Sequence, residues 1–192
     1  MSWKVTTQPA SEPLTATEVK SYLKVDYSTD DTLITSMIVA ARNKVEEYTG
    51  KKLMIQTITE TLDLFPVTTA YNPNAILTLS SFPLRSVTSI TYNDASDVST
   101  VFASSSYIVD TTSELPRVGL AFGSDWPDVY DEINAISIVY IVGYDDASSV
   151  PDAIKSALYL IIGHWYENRT DTVRKLPTAA EWILNDYRVR SF

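Results

Sequence analysis

Apolar residues recur every three or four positions at both ends of this chain and every second position in its middle. That double change of period constrains the fold more than any other feature. Near the start, Ile34, Met37, Ile38, Ala41, Val45 and Tyr48 fall on one helical stripe. Beyond Lys51-Lys52 the step drops to two: Thr57, Thr59, Thr61 and Asp63 alternate with Ile58, Glu60, Leu62 and Leu64, and β-branched residues dominate. After Pro151 the helical step returns with Ile154, Ala157, Leu158, Ile161 and Trp165. The order helical, extended, helical predicts an α+β protein: a small helical bundle formed by N- and C-terminal helices, with a β-rich central insertion.

Local signals place the boundaries. Residues 1–13 hold Pro9 and Pro13, lack periodicity and read as an extended N-terminal arm. Thr15-Ala16-Thr17-Glu18 is a capping box that predicts a helix over 16–24. Asp30 reads as the N-cap of a second helix that stops at Gly50, a residue suited to the left-handed position past a helix end. Further strand-like segments lie at 75–80, 86–92, 98–102, 106–110, 116–122 and 134–142, with turn clusters between them. Ala135 to Val142 is nearly all apolar, which predicts a central strand covered on both faces. Ser148 or Ser149 is expected to cap a third helix, with Pro151 near its first position. Residues 170–178 read as a loop closed by Pro177, and 179–188 as a final helix. The expected organisation is a helical core of 14–52 and 148–192 around an insertion of 53–147.

A chain of 192 residues buries about 70% of its unfolded surface and needs no covalent or metal staple. The sequence has no cysteine, which removes disulfides, thiolate metal sites and cysteine nucleophiles together. The start, MSWKVTTQPASEPLT, contains no apolar core of the signal-peptide kind. The longest apolar run, Ala135 to Val142, is too short to span a bilayer. The expectation is synthesis in a cytoplasm and no membrane partner.

Charge is unevenly spread within a net −9. Residues 93–152 hold eleven acids against Arg117 alone. Such a balance argues against tight nucleic-acid binding, which depends on clustered Lys and Arg. The chain ends Tyr187-Arg188-Val189-Arg190-Ser191-Phe192, basic and aromatic.

No catalytic constellation emerges. His164 is the sole histidine, and a metal site wants two or three converging ligands. Its setting, Ile161-Ile162-Gly163-His164-Trp165-Tyr166, reads as packed helix, with Gly163 marking close approach by a neighbour. Trp126-Pro127-Asp128 matches the acid loop of tyrosine phosphatases, but that chemistry needs a cysteine. The Tyr48 to Lys52 spacing of short-chain dehydrogenases stands without a dinucleotide-binding glycine turn. The pairs Asp30-Asp31 and Asp145-Asp146 read as turn formers or caps, and Asp94, Asp97 and Asp145 lack the ligand order of a calcium loop. No cofactor or metal is expected, and no enzyme.

Several separated segments, taken in order, resemble a known family. They are Leu14 to Asp26; Asp30-Asp31-Thr32-Leu33-Ile34; Ala40-Ala41-Arg42; Glu46 to Lys51; and Pro83 to Ile90. Tyr107-Ile108-Val109-Asp110, Trp126-Pro127, Val142-Gly143-Tyr144, Val150 to Lys155, His164 to Arg169 and Tyr187-Arg188-Val189 complete the series. Together they are similar to the head–tail connector, or adaptor, proteins of long-tailed bacteriophages and gene transfer agents. The resemblance implies a structural virion protein in the neck, forming a twelvefold ring beneath the portal protein. Such a ring meets a stopper or tail-completion protein on its other side and lets DNA pass without specific binding. It also implies a portal-facing C-terminal segment, here Trp182, Tyr187, Arg188, Arg190 and Phe192. If that segment docks on the portal, deleting residues 180–192 should leave a folded subunit that no longer joins filled heads, whereas loss of folding would place the segment in the core. Ile161, Gly163, His164, Trp165 and Tyr166 would then pack subunits together. Asp94, Asp97, Asp125, Asp128, Asp145 and Asp146 would line the channel. The alternatives are another neck or tail-completion protein, or a host-binding β module using Trp126, Tyr130 and Tyr144.

Overall fold

The computed structural model describes residues 2–72, 74–113, 115–168 and 176–189. The chain forms two compact units, Met1–Gln8 with Ile55–Gly143, and Pro9–Met54 with Tyr144–Phe192. The architecture is α+β, with helices from both ends packed together and antiparallel sheets built from the middle.

The first unit is built on a five-stranded antiparallel sheet in the order β1 (Ser2–Thr7), β2 (Gln56–Leu62), β8 (Ile136–Val142), β4 (Leu84–Asn93), β5 (Ser99–Val101). A smaller sheet sets β7 (Arg117–Leu120) between β3 (Leu77–Thr78) and β6 (Tyr107–Asp110). The period-two pattern of β2 buries Gln56, Ile58, Glu60 and Leu62 and leaves the threonines half-covered. β8 is central, as its composition predicts. Its burial alternates, however, with Ser137, Val139 and Ile141 only partly covered rather than both faces closed. Residues 2–7, read as part of an arm, are a strand. Ser2 pairs with Thr61 and Val5 with Ile58, and a bulge follows before Thr7.

An aromatic cluster closes this core. Trp126 stacks on Phe65 with ring centres 4.7 Å apart and donates its indole N–H to the Ala75 carbonyl at 2.8 Å. A carboxylate also lies inside. Glu60 is fully buried and accepts from the Tyr140 hydroxyl at 2.6 Å, the Ser80 N–H at 3.0 Å and the Ser80 hydroxyl at 2.6 Å. Burying a charge is costly unless such donors compensate it.

The second unit packs α1 (Ala16–Leu23), α2 (Asp31–Thr49), α3 (Asp152–Glu167) and α4 (Thr178–Asn185) around Val19, Ile34, Ile38, Val45, Ile154, Leu158, Ile161 and Leu184. The capping box forms as the sequence dictates. The Thr15 N–H donates to Glu18 at 2.7 Å, and the Glu18 N–H donates to the Thr15 hydroxyl at 3.2 Å. Thr15→Ala is expected to lower stability by about 1 kcal/mol in urea denaturation, the usual cost of a lost N-cap. Gly50 ends α2 at φ 76° and donates its N–H to the Glu46 carbonyl, a left-handed position that other residues adopt with strain.

Two expected caps are used otherwise. Asp30 stands at the N-cap of α2, yet its side chain makes no capping bond; it accepts from the Tyr166 hydroxyl at 2.6 Å. α3 begins after Pro151 without a side-chain cap. Ser148 and Ser149 turn back onto Asp146 instead, through the Ser148 hydroxyl at 2.6 Å and the Ser149 N–H at 2.8 Å. The Ser148 hydroxyl, with the Ser149 groups, holds the Asp146 carboxyl down at about 2.

Candidate assembly surfaces

The helix that carries the sole histidine is packing. Ile161 is fully buried in the core of the helical unit. A Cβ on Gly163 would stand 3.2 Å from the Tyr22 ring, so the close neighbour is α1 of the same chain. His164 lies half-buried with Asn168 Nδ2 at 3.3 Å from its Nδ1, and Trp165 pads the core. The Tyr166 hydroxyl sits between Asp30 and the Tyr27 hydroxyl, 3.1 Å away. Hydrogen bonding to Asp30 pushes the Tyr166 phenol above its usual range. Among the described residues no group of three acids and histidines converges as a metal site would require.

At the C-terminal end the candidate contacts divide. Trp182 projects from α4 with 74% of its surface exposed. Tyr187 packs against the helical core, and Arg188 lies 5.5 Å from the centre of the Tyr48 ring. Arg190 and Phe192 lie outside the described residues. The Val189 N–H bonds to the Thr49 carbonyl, and Ala180 and Leu184 are fully buried. Ala180 and Leu184 thus anchor α4 in the helical core, while Trp182 stays outside it.

The six acids are shared between the two units, Asp94, Asp97, Asp125 and Asp128 in the first and Asp145 and Asp146 in the second. Asp94 shapes the β4–β5 turn by accepting from the N–H groups of Ser96 and Val98. Asp97, Asp125, Asp128, Asp145 and Asp146 face solvent. Sequence reasoning passed over the apolar residues that stand out beside the first of these turns: Leu64, Val98 and Ile133. The available signal was aliphatic residues placed among acids in turn segments, where burial is not expected.

The family model for head completion proteins matches residues 12–189. The chain belongs to the head completion protein family. Members are structural proteins of the virion, and this one is not an enzyme. Three solved structures share the fold. A chain in the neck of an empty gene transfer agent particle, computed with sixfold symmetry, is 21% identical with a TM-score of 0.81. A chain in the virion of a native gene transfer agent particle is 22% identical at 0.81. A third, in a native neck computed with twelvefold symmetry, is 22% identical at 0.79. In each case all of this chain aligns with 98% of the other. No curated protein matches the sequence.

Proposed function

We propose that this head completion protein is the adaptor of a particle neck. It forms a twelvefold ring beneath the portal, joins the DNA-filled head to the stopper or tail-completion protein, and leaves a channel through which DNA passes. The observation that carries the reading is the end-to-end likeness to neck chains, all of this chain aligning with 98% of each. Reconstructions of those necks with sixfold and twelvefold symmetry agree with a closed ring of repeated subunits. Trp182 is the contact offered to the portal, because an exposed tryptophan on a core-anchored helix is the kind of side chain that dominates interface energy.

Co-sedimentation of the purified chain with the portal complex of the same virus, followed by negative-stain imaging, tests this. The expected result is a ring stacked on the portal. Trp182→Ala should weaken the association about tenfold or more while leaving helix content unchanged. Point replacement is the proper probe, since truncation would remove Ala180 and Leu184 from the core. A folded protein that ignores the portal would be a later neck or tail-completion component instead.

A further inference from the structure

One end of the five-stranded sheet is a single bonded surface made by three turns. The Asn134 N–H donates to Asp63 at 2.8 Å, the Tyr130 N–H to the Asn93 carbonyl at 2.9 Å, and Asn93 Nδ2 to Glu132 at 2.6 Å. Thr61 adds a hydroxyl bond to Asn134 at 2.8 Å. These bonds pin the segment between β7 and β8, 121–135, although it has no helix or strand of its own. Ordered loops of about this length are uncommon in compact domains and are usually functional. The surface keeps large apolar side chains in solvent: Leu64 is 63% exposed and Ile133 81%, with Val98 and Tyr130 also exposed.

Its charge is of one sign. The same turns hold Asp63, Asp94, Asp97, Asp131 and Glu132, and none of the described bases of this unit lies in them: these are Arg85, Arg117 and Lys4, which sits on β1 opposite Thr59. Arg85 lies at the opposite end of the sheet, where Leu84 pairs with Val142, and Arg117 is bound to Asp110. A nucleic acid or an anionic lipid surface is repelled by such a face. A second copy meeting it through the same face brings like charges together. Most other described bases of the chain are already engaged, Lys20 with Asp31, Arg42 with Glu12, Lys44 with Glu47, Lys52 with Glu46 and Lys155 with Asp152.

We infer that this end of the sheet is a docking face for another protein of the particle, one that presents Lys and Arg around an apolar centre. Leu64 and Ile133 supply the desolvated contacts, and the acids supply register and encounter rate. The inference rests on the neck reading, under which that partner is a component whose attachment joins head to tail. A channel-lining role for the same acids would leave Leu64 and Ile133 with no purpose.

The test uses DNA-filled heads from a strain lacking this protein, supplied with purified chain and then with tails of the same particle. Three things are read: chain bound per head, tails joined, and thermal unfolding. Both Leu64→Ser with Ile133→Ser, and Asp97→Asn with Asp131→Lys, are expected to stay folded and bind heads in wild-type number, asparagine being suited to the left-handed backbone at position 97. Each should join tails about tenfold less well, and wild-type joining should weaken as salt is raised. Normal tail joining by both double variants would overturn the inference while leaving the neck reading intact. A changed number of copies per head would put a second copy on the face and also overturn it. DNA leakage with normal joining would assign the acids to the channel. Wild-type chain that does not bind heads would overturn the neck reading and this inference with it.

Discussion

Arg42→Met is expected to destabilise the helical unit by about 3–5 kcal/mol, the range for removing one member of a buried ion pair. Arg42 is an interior position on α2, and its guanidinium grips Glu12 twice, through Nε at 2.7 Å and a terminal nitrogen at 3.3 Å. A second terminal nitrogen stands 3.5 Å from Glu46, itself buried, which also takes the Leu53 N–H at 2.9 Å and faces Lys52 at 3.5 Å. One arginine thus ties the segment before α1 to α2, and Glu46 ties α2 to the chain leaving it. Methionine fills comparable volume but removes a positive charge from two carboxylates, one of them out of reach of water. Arg42→Lys should recover only part of the loss, because an ammonium does not reproduce the two-pronged grip on Glu12. Urea denaturation of the three proteins checks this, and a cost below about 1 kcal/mol for Arg42→Met would show that the network contributes nothing net.

The helix ends were legible in the sequence because their causes are local. Thr15 and Glu18 lie three residues apart, and Gly50 acts through its own backbone. The class of fold followed from the two changes of hydrophobic period for the same reason, since a period is a property of neighbours in sequence. Features set by distant residues were not legible. Asp30 has the chemistry of a cap, but Tyr166, 136 positions away, claims its carboxylate. Residues 2–7 carry no alternation because β1 is an exposed edge strand, held through its pairing with residues 57–61. Arg42, Glu46 and Glu60 occupy core positions that polarity alone assigns to the surface; only their partners explain them. The family was legible from many short segments in order. The docking face was not, because Leu64, Val98 and Ile133 become one surface only when three turns meet.

The β unit has its own polar centre, and Tyr140→Phe is expected to cost it about 1.5–3 kcal/mol, the worth of a hydrogen bond to a charged group. The ring stays, so no cavity opens; what goes is the 2.6 Å bond by which the hydroxyl compensates the buried Glu60 carboxylate. Ser80 still donates twice to that carboxylate, which keeps the loss below that of an uncompensated charge. The same geometry gives a pH signature. Burial first, and then the negative charge of Glu60, push the Tyr140 phenol far above its usual range. The folded state therefore keeps its proton where the unfolded chain, titrating near 10, has lost it. The stabilisation is complete below pH about 10 and falls as pH rises beyond it. Phenylalanine cannot ionise, so the variant should lose stability less steeply than the parent across that window. Urea denaturation at neutral pH and again in the alkaline range, on both proteins, measures the two effects separately. Equal alkaline slopes with a large neutral cost would leave the hydrogen bond in place as a structural contact and remove Tyr140 as the source of alkaline sensitivity.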